Sequence, residues 1–326
     1  METTPKMTEF APETTAQFDI APGMTVEHMK AMFFDRNALI EPQFPVYQLN
    51  TKNYRYYYKY DEAGEPQFYP SVTTILSQTM PESPFLKQWR DKLGAEAADR
   101  YRDERAAYGT FMHGLFGELL INRTIDLDDI QEKLKMYIEQ KQLPVDFIFY
   151  ADDLKKDVLA FAQWVVDYDV RPLAIEIALV SELKHYAGMI DLVCTLNTKE
   201  GRKTAIVDFK SGRNGFSEEH ELQLHLYRDM WHENFPEHPI VKVFNFSPKD
   251  WRKDKPTYNF KDQTESEMAA VRDDILAIAA VKDSQRENRF TATYGKINLD
   301  EPELSKNICS LTLAEIVKSK KNGGMK

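Results

Sequence analysis

The sequence lacks the features that define several protein classes. Its 326 residues include only two cysteines, Cys194 and Cys309, which are too few for a zinc ribbon or a four-cysteine iron–sulfur cluster. Two cysteines are also unremarkable for a protein of a reducing compartment. No apolar run approaches the roughly 20 residues that a membrane-spanning helix requires. We therefore expect neither an iron–sulfur cluster nor a membrane partner.

Net positive charge is also absent. Lys and Arg number 42 against 52 Asp and Glu, which gives a formal net charge of −10. Such a chain does not coat nucleic acid or anionic membranes non-specifically, so a polyanion must be met by a local patch or a metal. The N-terminus, METTPKMTEFAPETTAQFDIAPG, lacks the apolar core of a signal peptide and the Arg-rich character of a transit peptide. We expect a globular, cytoplasmic protein.

The order of sequence patterns predicts an α/β protein with a mixed sheet. Residues 1–45 are rich in Thr, Pro and Glu and predict a loosely structured extension, while residues 46–295 form the main domain and residues 296–326 a tail with a short helix. An aromatic hairpin opens the main domain, and residues 85–120 follow as a helical segment broken near Gly109. Then come a helix, three strands, a helix, a strand and a helix with a capping box of Thr264 and Glu267.

Acidic residues interrupt the three consecutive strand segments. Glu176 lies in LAIEIALV, Asp191 in GMIDLVCTL and Asp208 in KTAIVDFKSG. An ionised carboxylate in an apolar strand is costly unless it is paired or binds a metal, and neighbouring carboxylates repel one another. Mg²⁺ or Mn²⁺ accepts oxygen ligands and leaves positions for water and a phosphate. The pattern therefore predicts a metal-dependent site for phosphodiester hydrolysis.

Lys210 belongs to the same predicted site. It follows Asp208 at i+2, so the two side chains share one face of a strand. We predict Glu176, Asp191, Asp208 and Lys210 as catalytic residues, with Lys210 holding the attacking water and balancing charge in the transition state. The alternative is a structural salt bridge between Asp208 and Lys210 at the end of a strand.

These residues and their spacing resemble those of the PD-(D/E)XK nucleases, in the subgroup that includes the RecB and AddB nuclease domains. The matching elements are GTFMHGLFGE with His113, Gly188-x-x-Asp191, Asp208-Phe209-Lys210 and Gln223-x-x-x-Tyr227. The segments PSVTTILSQTMPES and LKQWRDKLG are similar to those of the mitochondrial genome maintenance exonucleases. The resemblance covers about residues 70–278. It leaves the first 45 residues and the tail unexplained, and the chain departs from a mitochondrial protein by lacking a presequence.

The resemblance implies a restriction-endonuclease-like core, a mixed central sheet flanked by helices. It also implies metal ligands, which are His113, Asp191, Asp208 and the backbone carbonyl of Phe209. Alone, a helical histidine such as His113 is usually a satisfied core or surface residue. The cofactor implied is Mg²⁺ or Mn²⁺.

Several polar residues are candidates for contact with DNA. Gln223 and Tyr227 share one helix face and either touch DNA, support Lys210 or form an ordinary polar face. The hydroxyls of Ser71, Thr73 and Thr74 either bind a phosphate or cap a helix. The segment KVFNFSPKDWRKDKPTY mixes basic and aromatic residues as single-strand binding surfaces do, although some of its aromatics belong to the core.

The resemblance implies a metal-dependent DNA exonuclease that acts on single-stranded or end-containing DNA. Such enzymes serve replication, recombination or repair, so proteins of those processes are expected partners. Two alternatives stay open, a structure-specific endonuclease on the same core and a catalytically silent DNA-binding or scaffold subunit.

Overall fold

Strands and helices follow one another along the chain largely as the patterns predict. The computed structural model describes residues 39–51, 54–82, 84–213, 215–252, 254–284, 289–293 and 308–321. The strands are β1 Tyr47–Asn50, β2 Arg55–Tyr60, β3 Pro66–Pro70, β4 Arg171–Ser181, β5 Tyr186–Thr198, β6 Gly201–Phe209, β7 Lys242–Arg252, β8 Lys255–Asp262, β9 Arg289–Thr293 and β10 Ile308–Thr312. The α-helices are α1 Val72–Thr79, α2 Pro84–Leu93, α3 Ala95–Asn122, α4 Ile130–Lys141, α5 Ala151–Asp167, α6 Glu218–Asn234, α7 Arg272–Ser284 and α8 Leu313–Lys321. Most of the predicted N-terminal extension lies outside the described residues.

Five strands form the central sheet in the order β4-β5-β6-β7-β8. Only β6 and β7 pair in parallel, and the other neighbours are antiparallel. A parallel pair requires a crossover connection, and α6 supplies it between β6 and β7. The mixed sheet predicted from the sequence is therefore confirmed.

Helices cover both faces of this sheet. On one face, Phe116 of α3 and Phe161 and Trp164 of α5 pack against the sheet residues Val207 and Phe209. On the other face, the side chains of α1, α6 and α7 pack against the sheet, and the residues in contact include Ile75, Leu224, Trp231, Ile275, Ile206 and Val243. The central strands β5 and β6 are therefore buried on both sides over most of their length, which explains their apolar sequences. Among the described helices, none combines the length and apolar character that crossing a bilayer requires.

Two strands change face at an acidic residue. In a regular strand, residues i and i+2 point to the same side of the sheet. Around each acid, the two flanking residues instead belong to opposite cores. These pairs are Ile175 and Ile177 around Glu176 in β4, and Ile190 and Leu192 around Asp191 in β5. The backbone of Glu176 has a positive φ of 49°, which costs a non-glycine residue about 1–3 kcal/mol.

The helix break that the sequence predicts near Gly109 is wrong. Helix α3 runs without interruption through this position, and the break lies at Gly94, whose φ is +88°. Gly109 lies where α3 faces the segment after β6. A Cβ there would lie 3.4 Å from Oγ of Ser211, an ordinary van der Waals contact, so the packing does not require glycine.

The capping box predicted for the last helix of the main domain is also wrong. Ser266, not Thr264, caps the 3₁₀ helix Glu267–Val271, because its hydroxyl accepts a hydrogen bond from the backbone N–H of Met268. The Thr264 hydroxyl accepts from the backbone N–H of Val243. The α-helix begins only at Arg272, and strand β8 occupies a segment for which the sequence predicted no strand.

A second, smaller sheet adjoins the central one. It is antiparallel with the order β1-β2-β3, and it extends the aromatic hairpin that the sequence predicts by one strand. Helix α8 packs on this sheet, since Leu313 and Val317 form a buried cluster with Leu49 and Tyr56. Strands β9 and β10 pair antiparallel and lead into α8.

Candidate active site

A cavity of about 450 Å³ contains nearly all the residues that the sequence singles out. Strands β4, β5 and β6 contribute its acids, helices α3 and α6 form part of its walls, and the small sheet forms another part. The predicted residues in its lining are Ser71, Thr73, His113, Glu176, Asp191, Asp208, Phe209, Lys210, Gln223 and Tyr227. The fold thus brings together positions spread over more than 150 residues of the chain.

The side chains of His113, Glu176 and Asp191 form a compact group of metal-ligand type, which we call the triad. Nδ1 of His113 lies 3.7 Å from Oε1 of Glu176 and 3.6 Å from Oδ1 of Asp191. One ligand atom from each of the three lies within 4.8 Å of the others. Two carboxylates and an imidazole, all largely buried, fit Mn²⁺ and, through their oxygens, Mg²⁺. The donor set therefore suits the divalent cation that the sequence predicts.

The second nitrogen of His113 is engaged by the strand end. A carbonyl oxygen can only accept, so His113 Nε2–H donates to the backbone carbonyl of Phe209 across 3.1 Å. The N–H of the same Phe209 donates to Oδ2 of Asp191 at 2.7 Å. Both contacts orient the triad, because they fix which atom of each side chain faces the cavity. The Phe209 carbonyl has a second lone pair for a cation.

Asp208 is held differently from the triad. Its carboxylate is only 2% exposed, and Lys210 Nζ lies 3.1 Å from Oδ1 and 2.9 Å from Oδ2. Asn245 Nδ2 donates to Oδ2 at 2.9 Å. The same-face placement of Asp208 and Lys210 agrees with the structure, since Val207 and Phe209 both pack in the core on the other side. Asp208 lies outside the group formed by His113, Glu176 and Asp191.

Asp191 and Asp208 have raised pKa values because they are removed from water. Burial raises the pKa of Asp191, and Glu176 raises it further against the opposing effect of His113. Burial also raises the pKa of Asp208, although Lys210 opposes the shift. Burial alone would lower the pKa of His113, but Asp191 and Glu176 outweigh it and raise that pKa to about 9. Such a cluster is stabilised by positive charge, from a protonated imidazole or from a bound cation.

Lys210 is fixed by a chain of hydrogen bonds that begins on α6. The hydroxyl oxygen of Tyr227 accepts a hydrogen bond from Gln223 Nε2 at 2.8 Å, and Gln223 Oε1 accepts one from Lys210 Nζ at 2.9 Å. Of the roles considered for Gln223 and Tyr227, support of Lys210 is the one that these contacts show. Gly188 makes room for this chain, because a Cβ there would lie 2.6 Å from Cε1 of Tyr227.

The predicted hydroxyl residues divide into two groups. Ser71 and Thr73 line the cavity, with their hydroxyl oxygens 2.9 Å apart, and Ser71 also caps α1. Thr74 lies behind them, where its hydroxyl donates to the backbone carbonyl of Arg55 and accepts from the N–H of the same residue. Because both hydrogen-bonding capacities of Thr74 are used by the protein, the structure does not support its predicted contact with DNA.

The basic and aromatic segment that suggested a single-strand surface is mostly structural. Phe244 and Phe246 are buried in the core, and Tyr258 packs against the same core while its hydroxyl donates to Asp167. Trp251 donates to the backbone carbonyl of Lys156. Phe244, Phe246 and Tyr258 lie on the face of the β7–β8 hairpin that packs against the core, so they are not available as a binding surface.

Other residues of the cavity escaped the sequence analysis. Arg55 and Tyr57 of β2 line it, as do Gln48 of β1 and Arg105 of α3. Tyr57 O–H donates to Gln48 Oε1, and burial raises the pKa of Tyr57 to about 12. The signal that would have found them is weak, since three successive tyrosines hide which one faces the site. Asn245 lies behind Asp208 and outside the cavity lining, and it had a clearer signal, as a polar residue between two phenylalanines.

Comparison with known proteins gives one family. The family model of the PD-(D/E)XK nuclease superfamily matches residues 78–296. That range includes His113, Glu176, Asp191, Asp208 and Lys210, and it begins after the small sheet. A search of the curated proteins finds no match.

Proposed function

Because the chain belongs to the PD-(D/E)XK nuclease superfamily, we propose that it is a divalent-metal-dependent DNA exonuclease that acts on single-stranded or end-containing DNA. The observation that carries this proposal is the convergence of the His113, Glu176 and Asp191 ligand atoms beside the Asp208–Lys210 pair in one open cavity. A structural salt bridge alone would not require this second group of acids. The reaction class is hydrolysis of a phosphodiester bond.

His113, Glu176 and Asp191 are the residues that would hold Mg²⁺ or Mn²⁺, with Asp208 and the Phe209 carbonyl next to them. When bound, such a cation acts as a Lewis acid on the phosphate and lowers the pKa of bound water. Glu176 and Asp191 are oriented before any ligand binds, because the backbone of β4 and β5 changes face at these positions. This preorganisation is what electrostatic catalysis requires.

Lys210 is positioned to contact the attacking water and the phosphate. Asp208 and Gln223 hold its ammonium group from two sides, so its remaining hydrogen-bonding capacity is directed into the cavity. From there it holds the attacking water and balances negative charge on the phosphate as the bond breaks. Asp208 contributes by holding the Lys210 ammonium group in place.

The substrate phosphates meet positive and hydroxyl groups on the walls. Arg55 and Arg105 line the cavity on the small sheet and on α3, and Ser71 and Thr73 add hydroxyl donors. The volume of about 450 Å³ is in the range of pockets for small ligands, which suits a nucleotide-sized part of a single strand better than a duplex. The resemblance to the RecB and AddB domains and to the mitochondrial exonucleases supports action on DNA ends in replication, recombination or repair.

The test uses two single-stranded DNA substrates of the same sequence, one linear and end-labelled and one circular. We expect release of short products from the linear strand with Mg²⁺ or Mn²⁺, none with EDTA, and none from the circle. Asp191→Asn should be inactive. The matched control is Asp169→Asn, the same change at a surface acid that pairs with Arg171 and Arg202.

Each other outcome contradicts part of the proposal. Cleavage of circles would make the protein an endonuclease on the same core. DNA binding without any product, under every metal condition, would make it a silent DNA-binding subunit. Activity of Asp191→Asn equal to that of Asp169→Asn would remove the triad from the mechanism.

A further inference from the structure

A line of buried amides continues from the active site into the sheet. Asn245 is 0% exposed and Gln263 is 3% exposed. Asn245 Nδ2 donates to Oδ2 of Asp208 at 2.9 Å, and Gln263 Nε2 donates to Oδ1 of Asn245 at 3.3 Å. Burying two amides is costly unless their hydrogen bonds are made. The protein has therefore placed polar groups behind Asp208 where apolar side chains would pack.

The backbone fixes where these amides lie. Asn245 is the register partner of Asp208 in the parallel pair of β6 and β7. Its neighbours Phe244 and Phe246 both pack in the core under α3 and α5, so Asn245 points to the opposite side, as Asp208 does. Gln263 follows β8, where its N–H donates to the carbonyl of Val243. Asn245 is therefore held by the sheet, and Gln263 is tied to the neighbouring strand by its backbone hydrogen bond.

The chain also has a defined direction. The Asp208 carboxylate pairs with Lys210, and an ionised carboxylate can only accept hydrogen bonds. Asn245 must therefore present Nδ2 to Asp208, which leaves its Oδ1 to accept from Gln263 Nε2. This removes the choice between the two orientations of the Asn245 amide.

We infer that Asn245 and Gln263 are positioning residues that set the rotation of the Asp208 carboxylate in the nuclease site. Lys210 Nζ contacts both carboxylate oxygens, and Asn245 adds a second donor to Oδ2 only, so the two oxygens are distinguished by Asn245. A carboxylate without this donor is free to turn about its Cβ–Cγ bond and to separate from the geometry that cation and Lys210 require. The inference rests on the proposed function, because it assigns the amides a role through Asp208.

The experiment uses the full chain and two isosteric changes, Asn245→Leu and Gln263→Met. Asn245→Leu removes the donor to Asp208. Gln263→Met keeps Asn245 but removes the hydrogen bond that the Asn245 Oδ1 atom accepts from Gln263. The matched control is Asn259→Leu on β8, whose amide bonds the Ser247 hydroxyl and the Arg213 carbonyl and touches no acid. Mn²⁺ affinity is measured by calorimetry and by the rise in melting temperature, and then kcat and KM for a linear single strand at saturating Mn²⁺.

We expect Asn245→Leu to weaken Mn²⁺ affinity about fivefold and to lower kcat about tenfold, while KM for DNA stays within twofold of wild type. Gln263→Met should change both quantities in the same direction by about threefold, and Asn259→Leu should match wild type. If Asn245→Leu does not fold, Gln263→Met decides the question.

A lower melting temperature with unchanged Mn²⁺ affinity and kcat in Gln263→Met would show a purely structural role and overturn the inference. Wild-type protein that neither binds Mn²⁺ nor cleaves DNA would instead overturn the proposed function, and the inference with it. The two failures are therefore distinguishable.

Discussion

The two halves of the acidic cluster are built in different ways. In β6 the regular alternation of side chains continues to Asp208, whose carboxylate is neutralised by Lys210 and hydrogen-bonded by Asn245. In β4 and β5 the alternation breaks, and Glu176 and Asp191 converge on His113 with a strained backbone at Glu176. The charge of the first half is balanced by a protein side chain, and the second half is where we propose that the cation binds, with Asp208 beside it. The difference teaches that the convergence of ligand atoms and backbone strain distinguish the proposed cation site better than acidity alone.

The largest expected effect tests whether both halves are needed. Asp191→Asn and Lys210→Ala remove one group from each half, and each should lower the rate of cleavage about a thousandfold, equivalent to about 4 kcal/mol of barrier. Initial rates on a labelled linear strand with Mn²⁺ measure this. A variant that keeps a tenth of the wild-type rate would show that its half of the cluster is dispensable.

Metal binding should separate the halves. Mn²⁺ at about 100 times its dissociation constant should stabilise the wild-type protein by about 2.7 kcal/mol, and EDTA should reverse the effect. Lys210→Ala should keep this response because Lys210 is not a ligand, whereas Asp191→Asn should lose most of it. Thermal unfolding with and without Mn²⁺ gives the comparison. Equal responses in the two variants would contradict the division that we draw.

Backbone strain should reverse the usual preference for alanine over glycine. At Glu176, with its φ of +49°, Glu176→Gly should be more stable than Glu176→Ala by about 1 kcal/mol. At Asp208, in a regular strand, Asp208→Gly should be less stable than Asp208→Ala by about 0.5–1 kcal/mol. Urea unfolding in EDTA measures both differences. If the Ala variant were the more stable one at both positions, the backbone of β4 at Glu176 would carry no strain.

The smallest expected effect concerns the support of Lys210. Tyr227→Phe removes the hydroxyl that Gln223 contacts, a net loss of about 1 kcal/mol, so the rate should fall about fivefold without a change in Mn²⁺ affinity. Tyr258→Phe is the matched control, because its hydroxyl contacts Asp167 away from the cavity. A loss of Mn²⁺ affinity in Tyr227→Phe would show that α6 also supports the triad.

The regular half was predictable from the sequence, and the irregular half only in part. The spacing of Asp208 and Lys210 fixes their common face as long as the period of two holds. The same rule applied around Glu176 and Asp191 assigns side chains to the wrong faces of the sheet. No local sequence pattern indicates that β4 and β5 change face at these residues. Their participation was predicted from the cost of burying acids, and their geometry was not.

The errors elsewhere have similar causes. Gly109 and Gly94 look alike in the sequence, yet only Gly94 separates two helices, where its φ of +88° suits glycine, and Gly109 lies inside α3. Thr74 resembles its neighbours Ser71 and Thr73, but its side chain faces β2 instead of the cavity. For Thr74, contacts distant in the sequence decide the role of a residue whose local context is ambiguous.

The packing of α8 on the small sheet has a practical consequence for expression of the protein. The family match ends at residue 296, which makes that position an inviting place to truncate. Leu313 and Val317 lie beyond it and cover Leu49 and Tyr56, the neighbours of two cavity residues, Gln48 and Tyr57. A shortened protein would expose an apolar patch on β1 and β2 and loosen one wall of the cavity. Fragments for biochemical work should therefore retain residues through the end of α8.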